Sequence, residues 1–330
     1  MAGVDVSAVV WAVTCAVVIG LFVFDFVTNA RVPHAPSFKE SAAWSAIYIA
    51  LAILFGLFVM WQWGSGYGGE YFAGYVTEKA LSVDNLFVFT IIMSSFAVPR
   101  EHQQRVLLIG IVMALAMRAV FIFIGAAAIN AFSWVFYLFG IFLILTAVKL
   151  AREGGHEEEH EKERDSRIIA LAKRFLPTTD EFDGAKLTTK IDGKRFVTPM
   201  LLALVAIGFT DILFALDSIP AIYGLTQEPY IVFAANAFAL MGLRQLYFLI
   251  GGLLDRLVYL SFGLAFILAF IGVKLVLHAL HENTLPFVNG GEHVAVPEIS
   301  TALSLSVIGA TLVITTVASL IRTRGRSPAA

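Results

Sequence analysis

Two short segments, TEKALSVDNLFVF and TDILFALDSIPAI, place acidic side chains inside otherwise apolar stretches. In each segment a threonine precedes the first acid, a second acid follows six residues later, and a small polar residue comes next. A charged side chain at the centre of a membrane helix costs about 2.5 to 3.5 kcal/mol on insertion scales, so paired acids in both segments predict a functional site. The acids and their polar neighbours are Glu78, Asp84 and Asn85 in the first segment and Asp211, Asp217 and Ser218 in the second.

The chemistry open to these side chains is cation binding. Carboxylates, an amide and a hydroxyl are hard oxygen ligands that suit Mn²⁺, Mg²⁺ and Ca²⁺, whereas Zn²⁺ and Cu⁺ usually recruit sulfur or clustered imidazole. On a continuous helix Glu78 shares a face with Asn85, and Asp211 shares a face with Ser218. We therefore predict a metal site formed by both segments, with Asp25, in the apolar stretch GLFVFDFVTNA, as a further candidate ligand.

One arginine follows each segment in the next apolar stretch. Arg118 lies in GIVMALAMRAVFIFIG and Arg244 lies in ANAFALMGLRQLYFLIGG. We expect both arginines to form ion pairs with the acids when no metal is bound. A carboxylate cluster that alternates between arginine, protons and a dication would couple metal movement to proton movement.

The composition is that of a membrane protein. Of the 330 residues, 58% are hydrophobic and only 15% are charged, whereas a soluble domain carries about a quarter charged residues. The formal net charge of −2 and the absence of a basic stripe argue against nucleic-acid binding. The single cysteine, Cys15, excludes an intrachain disulfide and a thiolate metal cage.

Apolar runs of about 20 residues, the length that crosses a bilayer core, recur along the chain. Lysine and arginine are concentrated in alternate loops, and cytoplasmic loops carry the excess of these residues, so the N-terminus is predicted outside and the C-terminus in the cytoplasm. The predicted fold is an all-α polytopic membrane protein with about nine transmembrane helices, near 6–26, 41–63, 71–98, 105–130, 134–151, 199–223, 231–254, 258–279 and 299–321.

The two acidic segments begin two copies of a three-helix unit, and the copies end in FGIFLILTAVKL and FGLAFILAFIGVKL. An odd number of helices in each copy predicts that the second copy is inserted inverted, an architecture found in transporters. The predicted divisions are two N-terminal helices (1–70), repeat 1 (71–151), a charged cytoplasmic loop (152–198), repeat 2 (199–279), and an outer loop, last helix and basic tail (280–330).

The charged loop contains AREGGHEEEHEKERDSR, in which His156 and His160 stand four residues apart. On a helix these histidines would share a face with glutamates, which leaves a regulatory metal site open. A charged, solvent-exposed cytoplasmic segment explains the same pattern.

At the two acidic segments the sequence resembles the TerC family of integral membrane proteins. The signatures EKxLSVDNLFVF and TDxxFAxDSIPA are matched by residues 78–89 and 210–221, and the resemblance covers the chain from the first predicted helix to the ninth. It implies a bacterial inner-membrane protein of the superfamily that includes lysine exporters, with branches linked to tellurium resistance and to manganese efflux. The family's acidic motif residues carry over to Glu78, Asp84, Asn85, Asp211 and Asp217.

The sequence therefore predicts a secondary transporter that exports a divalent cation, with Mn²⁺ first and Ca²⁺/H⁺ exchange as an alternative. The lipid bilayer and the transported ion are the predicted partners, protons are the predicted counter-ion, and the oligomeric state stays open. A membrane scaffold or biogenesis factor in a tellurium or metal stress response is the alternative from another class. No nucleotide loop, HExxH motif or nucleophile elbow occurs, so neither an enzyme nor a resident cofactor is predicted.

Overall fold

The computed structural model of the chain is a bundle of helices. The description covers residues 6–30, 36–132, 134–153, 177–179, 182–184, 186–191, 193–250, 257–283, 285 and 288–323. Inside these ranges the side chains of Asn29, Ala30, Asp84, Phe87 and Ile250 are not described. The predicted regulatory histidines, His156 and His160, lie outside the described residues.

Five helices form the first half of the chain: α1 (Ala8–Asp25), α2 (Phe38–Trp63), α3 (Ser65–Ser95), α4 (Arg100–Ala131) and α5 (Val135–Glu153). A π-helical turn, Phe26–Ala30, extends α1. The start of α2 carries a capping box, in which Ser37 and Glu40 satisfy each other's backbone N–H groups. This capping box defines where α2 begins.

The second half begins with a short hairpin of β1 (Thr188–Ile191) and β2 (Lys194–Val197), an antiparallel pair in the segment predicted only as a charged loop. Its helices are α6 (Pro199–Tyr223), α7 (Pro229–Leu240), α8 (Leu243–Ile250), α9 (Leu260–His281) and α10 (Thr301–Arg322). A single 3₁₀ turn, Asn289–Gly291, lies between α9 and α10.

Eight helical segments among the described residues are long and apolar enough to cross a membrane, with α7 and α8 counted together. The predicted all-helical, polytopic class is confirmed, and the chain is an integral multi-pass membrane protein. The third predicted helix, 71–98, corresponds to α3, which is 31 residues long but is not among these eight. The acids and the lysine of the first acidic segment lie in α3, and their charges lower its mean hydropathy.

Helix α3 lies at the centre of the bundle and contacts α2, α6, α7 and α10. Helices α5 and α9 form the closest pair, because glycines meet at their contact. A methyl group added at Gly140 would lie 2.8 Å from the carbonyl oxygen of Gly272, so neither position has room for a side chain. Both helices of this pair contact α6, which carries the second acidic segment.

The seventh predicted helix, 231–254, is interrupted in the structure. Helix α7 ends at Leu240, Met241 adopts extended backbone angles (φ −61°, ψ 135°), and α8 begins at Leu243. Between them Gly242 has φ +76°, a left-handed conformation that glycine adopts without strain. The sequence prediction missed this break because a lone glycine in ALMGLRQL does not by itself end a helix.

Each predicted repeat contributes helices to this bundle: α3, α4 and α5 from the first, and α6, α7 with α8, and α9 from the second. The inverted relation between the two repeats, and the domain divisions drawn from it, stay predictions.

Candidate cation site

The centre of the bundle holds a fully buried arginine, Arg118 of α4, with 0% of its surface exposed. Its guanidinium donates to both oxygens of Asp211 on α6, with Nη2 3.0 Å from Oδ1 and Nε 3.3 Å from Oδ2. Nη1 also donates to Glu78 Oε1 on α3. The first acid of each sequence segment therefore meets the same arginine, and its planar fork binds Asp211 in the two-point geometry typical of arginine and carboxylate.

Two neutral side chains complete the contacts of this guanidinium. Nη1 lies 3.3 Å from Ser218 Oγ on α6 and 3.4 Å from Asn236 Oδ1 on α7. Asn236 is 0% exposed and was not among the predicted site residues. Its signal in the sequence was a single amide in the apolar run YIVFAANAFAL. We name the five residues Glu78, Arg118, Asp211, Ser218 and Asn236 the Arg118 cluster.

Several buried polar atoms, in the Arg118 cluster or in residues close to Glu78 and Asp211 in the chain, have no hydrogen-bond partner among the described residues. Four are oxygens of side chains that are 0% exposed, which makes them costly to leave unpaired. Two of them belong to the threonines that precede the first acid of each segment. The unpaired atoms are Thr77 Oγ1, Glu78 Oε2, Ser82 Oγ, Thr210 Oγ1 and Asn236 Nδ2.

The direct ion pairs of the Arg118 cluster join two carboxylates to one guanidinium. When both acids are ionised, the cluster carries one excess negative charge in a site closed to water. Such a charge is expensive to bury, so a proton or a cation is needed to balance it. The unpaired Glu78 Oε2 gives a cation a further ligand at the same place.

The second acid of α6, Asp217, points elsewhere. It is half-buried and accepts a hydrogen bond of 3.1 Å from Thr146 Oγ1 on α5. Lys149, one turn further along α5, is near enough to attract its carboxylate. Asp217 follows Asp211 by six residues, so the two side chains lie on different faces of α6 and have different neighbours.

The corresponding residues of α3 are only partly described. Asn85 is buried, with 4% of its surface exposed, whereas the side chain of Asp84 lies outside the described residues. Among the residues that are described, no three histidine, cysteine or acidic side chains converge in a way that could hold a metal ion. In the present arrangement Arg118 stands between the carboxylates that would have to converge.

A second arginine cluster forms around Arg244 of α8. Nη2 lies 2.6 Å from Asp25 Oδ1 at the end of α1, and Nη1 lies 3.2 Å from Gln104 Oε1 on α4. Gln245 donates a 3.1 Å hydrogen bond to the same Asp25 oxygen. We name these four residues the Arg244 cluster. It holds α1, α4 and α8 together, and it takes Asp25 away from the other predicted ligands.

Three members of the Arg244 cluster, Gln104, Arg244 and Gln245, line a small pocket together with Pro36, Glu40, Ser41 and Trp44. Glu40 is half-buried, and its carboxylate already accepts the backbone N–H of Ser37 in the capping box. Arg244 itself is 3% exposed, compared with 0% for Arg118.

Lys79, which had no predicted role, has well-defined partners. Its ammonium nitrogen lies 3.0 Å from the carbonyl oxygen of Ala239 and 3.2 Å from that of Met241, at the end of α7. It follows Glu78 directly in α3 but faces the helix break, whereas Glu78 faces Arg118. Neighbouring charges of α3 thus contact two different helices, Glu78 through Arg118 on α4 and Lys79 at the end of α7.

These features define a polytopic helical membrane protein with charged clusters buried between its helices. The chain belongs to the TerC family of integral membrane proteins, whose family description matches residues 63–327. An uncharacterized membrane protein of Mycobacterium tuberculosis (strain ATCC 25618 / H37Rv) is 54% identical over 322 residues, which cover 97% of this chain and 81% of that protein.

Two further relatives cover most of the chain. An uncharacterized membrane protein of Myxococcus xanthus is 41% identical over 314 residues, 95% of this chain and 92% of the relative. The protein named "Putative membrane-bound redox modulator Alx" of Escherichia coli (strain K12) is 36% identical over 280 residues, 82% of this chain and 86% of the relative. No solved structure matches the chain closely enough to be compared.

Proposed function

We propose that this protein is a secondary transporter that exports a divalent metal cation, Mn²⁺ first, through the Arg118 cluster. The observation that carries the proposal is the meeting of two buried carboxylates, Glu78 and Asp211, on one guanidinium, with Glu78 Oε2 unpartnered among the described residues. Ionisable residues inside a membrane bundle are expensive and typically mark ion pathways.

The available ligands suit a hard dication. Glu78 and Asp211 supply carboxylates, Ser218 supplies a hydroxyl and Asn236 supplies an amide oxygen. Oxygen ligands of this kind favour Mn²⁺, Mg²⁺ and Ca²⁺. Manganese stands first because the family resemblance implies manganese efflux in some branches, and Ca²⁺ is the alternative cargo.

Arg118 determines how a cation binds. Its guanidinium occupies the space between Glu78 and Asp211, so a dication competes with it for the same oxygens. We propose that the dication displaces the guanidinium together with any proton that the acids hold, and that Arg118 returns when the ion leaves. The site is then never left with two uncompensated carboxylates, and the movement of metal is linked to the movement of protons.

The proposal includes an orientation in the bacterial inner membrane. The distribution of lysine and arginine among the loops supports an N-terminus outside and a C-terminus in the cytoplasm. In that orientation α3 runs from outside to inside and α6 runs in the opposite direction, so Glu78 and Asp211 approach Arg118 from helices of opposite sense.

Purified protein in liposomes tests the proposal. We expect Mn²⁺ flux that depends on a pH gradient, with uptake of Ca²⁺, Mg²⁺ and Zn²⁺ measured in parallel to establish the cargo. Glu101→Gln is the matched control, because Glu101 is exposed at the start of α4 and lies outside the Arg118 cluster. If no cation moves in either protein, the transporter proposal fails and the scaffold alternative gains support.

A further inference from the structure

The end of α7 is a site for a positive charge. The last carbonyl groups of a helix lack partners within the helix and carry the negative end of its dipole. At the break after α7 the chain turns through Met241 and Gly242, so carbonyl oxygens of the last turn are left for another donor. The Lys79 ammonium lies 3.0 Å and 3.2 Å from two of these oxygens.

The lysine reaches this site from the middle of α3. Its side chain is half-buried, and it lies 14 positions after Ser65 and 16 positions before Ser95, the two ends of the helix. A buried ammonium is costly unless its donors are paired, and here the paired groups are neutral carbonyls. The two carbonyl oxygens therefore form a binding site for an ammonium group, and Lys79 of the same chain occupies it.

This contact also positions the Arg118 cluster. Asn236, which contacts Arg118, lies about one helical turn before Ala239 on α7. Lys79 follows Glu78, which contacts the same guanidinium from α3. Helices α3 and α7 are thus joined twice over a short distance, once through Arg118 and once through Lys79.

We propose that the broken end of α7 is an intramembrane site for an alkylammonium-like monovalent cation, occupied by Lys79, and that this occupant holds α7 against α3. Lys79 is a positioning residue for the Arg118 cluster. Its importance for transport rests on the proposed function, but the ammonium site itself does not.

Chemical rescue tests the site directly. Lys79→Ala removes the ammonium and leaves space for a small amine, whereas Lys79→Met fills the space with an apolar side chain of similar length. Hydrogen–deuterium exchange at residues 241–246 is measured for the full chain in lipid nanodiscs, with the amides of the α5–α9 pair as an internal reference. This readout reports the helix break whether or not the protein transports an ion.

We expect both substitutions to speed exchange at residues 241–246 by about tenfold or more, because two charge-assisted hydrogen bonds are lost. Ethylammonium should restore slow exchange in Lys79→Ala but not in Lys79→Met. Choline, which has no N–H group, should restore it in neither variant, and the wild-type chain should not respond to either cation.

Two results would overturn the proposal: unchanged exchange at the break in both variants, or faster exchange in both that ethylammonium does not reverse. In the same samples, ethylammonium should also raise Mn²⁺ flux by Lys79→Ala. If exchange is rescued while the wild-type chain moves no ion, the ammonium site stands and the transport proposal fails.

Discussion

Arg118 and Arg244 occupy corresponding places in the two predicted repeats, yet their surroundings differ. Arg118 is bound by two carboxylates and two neutral side chains, all fully or nearly fully buried. Arg244 makes direct hydrogen bonds to one carboxylate, Asp25, and to one amide, Gln104. The repeat in sequence therefore predicts two buried arginines but not the same role for both.

The difference in direct partners has a physical consequence. One carboxylate balances one guanidinium, so the pair of Asp25 and Arg244 is neutral and joins helices. The Arg118 cluster keeps a second carboxylate in a closed space, and one oxygen of that carboxylate, Glu78 Oε2, is unpartnered among the described residues. Such a site favours binding of a proton or a cation, whereas the Arg244 cluster is suited to holding α1, α4 and α8 in place.

The largest expected effect is a loss of Mn²⁺ flux when the Arg118 cluster, and not the Arg244 cluster, is changed. Asp211→Asn removes the carboxylate that Arg118 binds at two points, while Glu78 still balances the guanidinium. We expect Mn²⁺ flux into liposomes to fall by about 100-fold or more, which corresponds to roughly 2.7 kcal/mol. Wild-type flux in this variant would show that the cation does not use the Arg118 cluster.

The next largest expected effect is a loss of thermal stability when the Arg244 cluster is changed. Asp25→Asn leaves Arg244 without its directly bonded acid, and breaking a buried pair in this way costs about 3 kcal/mol. Thermal unfolding in detergent should shift to a clearly lower temperature, while flux per folded molecule should stay within about threefold, or roughly 0.7 kcal/mol. A loss of flux equal to that of Asp211→Asn, at unchanged stability, would place Asp25 in the ion pathway after all.

A smaller effect is expected at Asp217, which sequence reasoning grouped with Asp211. Because Asp217 bonds to Thr146 on α5, Asp217→Asn should reduce Mn²⁺ flux by about tenfold at most, or 1.4 kcal/mol. Thr146→Val, which removes the donor and keeps the shape of the side chain, is the matched variant. Equal losses in Asp217→Asn and Asp211→Asn would extend the cation site to the α5 side of α6.

The smallest expected effect is a loss of stability in the Arg244 cluster. Gln104→Leu removes one hydrogen bond to Arg244 and keeps most of the side-chain volume, so the loss of stability should be about 1 to 2 kcal/mol. Thermal unfolding measures it, with Glu101→Gln, at an exposed residue of the same helix, as the control. A destabilisation as large as that of Asp25→Asn would show that the amide, not the ion pair, secures Arg244.

Much of this arrangement could be predicted from the sequence, because apolar length and the spacing of the acids are local properties. The helices and the face shared by Asp211 and Ser218 follow from them. The choice of Asp25 as the partner of Arg244 could not be predicted, since it depends on how α1 packs against α8. Asn236 and the break at Gly242 depend likewise on neighbours that periodicity does not reveal.

The measurement that tests the central claim most directly is equilibrium Mn²⁺ binding to purified protein, followed by electron paramagnetic resonance of the free ion. Wild-type protein and Asp25→Asn should each bind one Mn²⁺ with similar affinity, and Asp211→Asn should lose that binding. If Asp211→Asn keeps wild-type affinity while Asp25→Asn loses it, the cation site belongs to the Arg244 cluster and the present assignment is wrong.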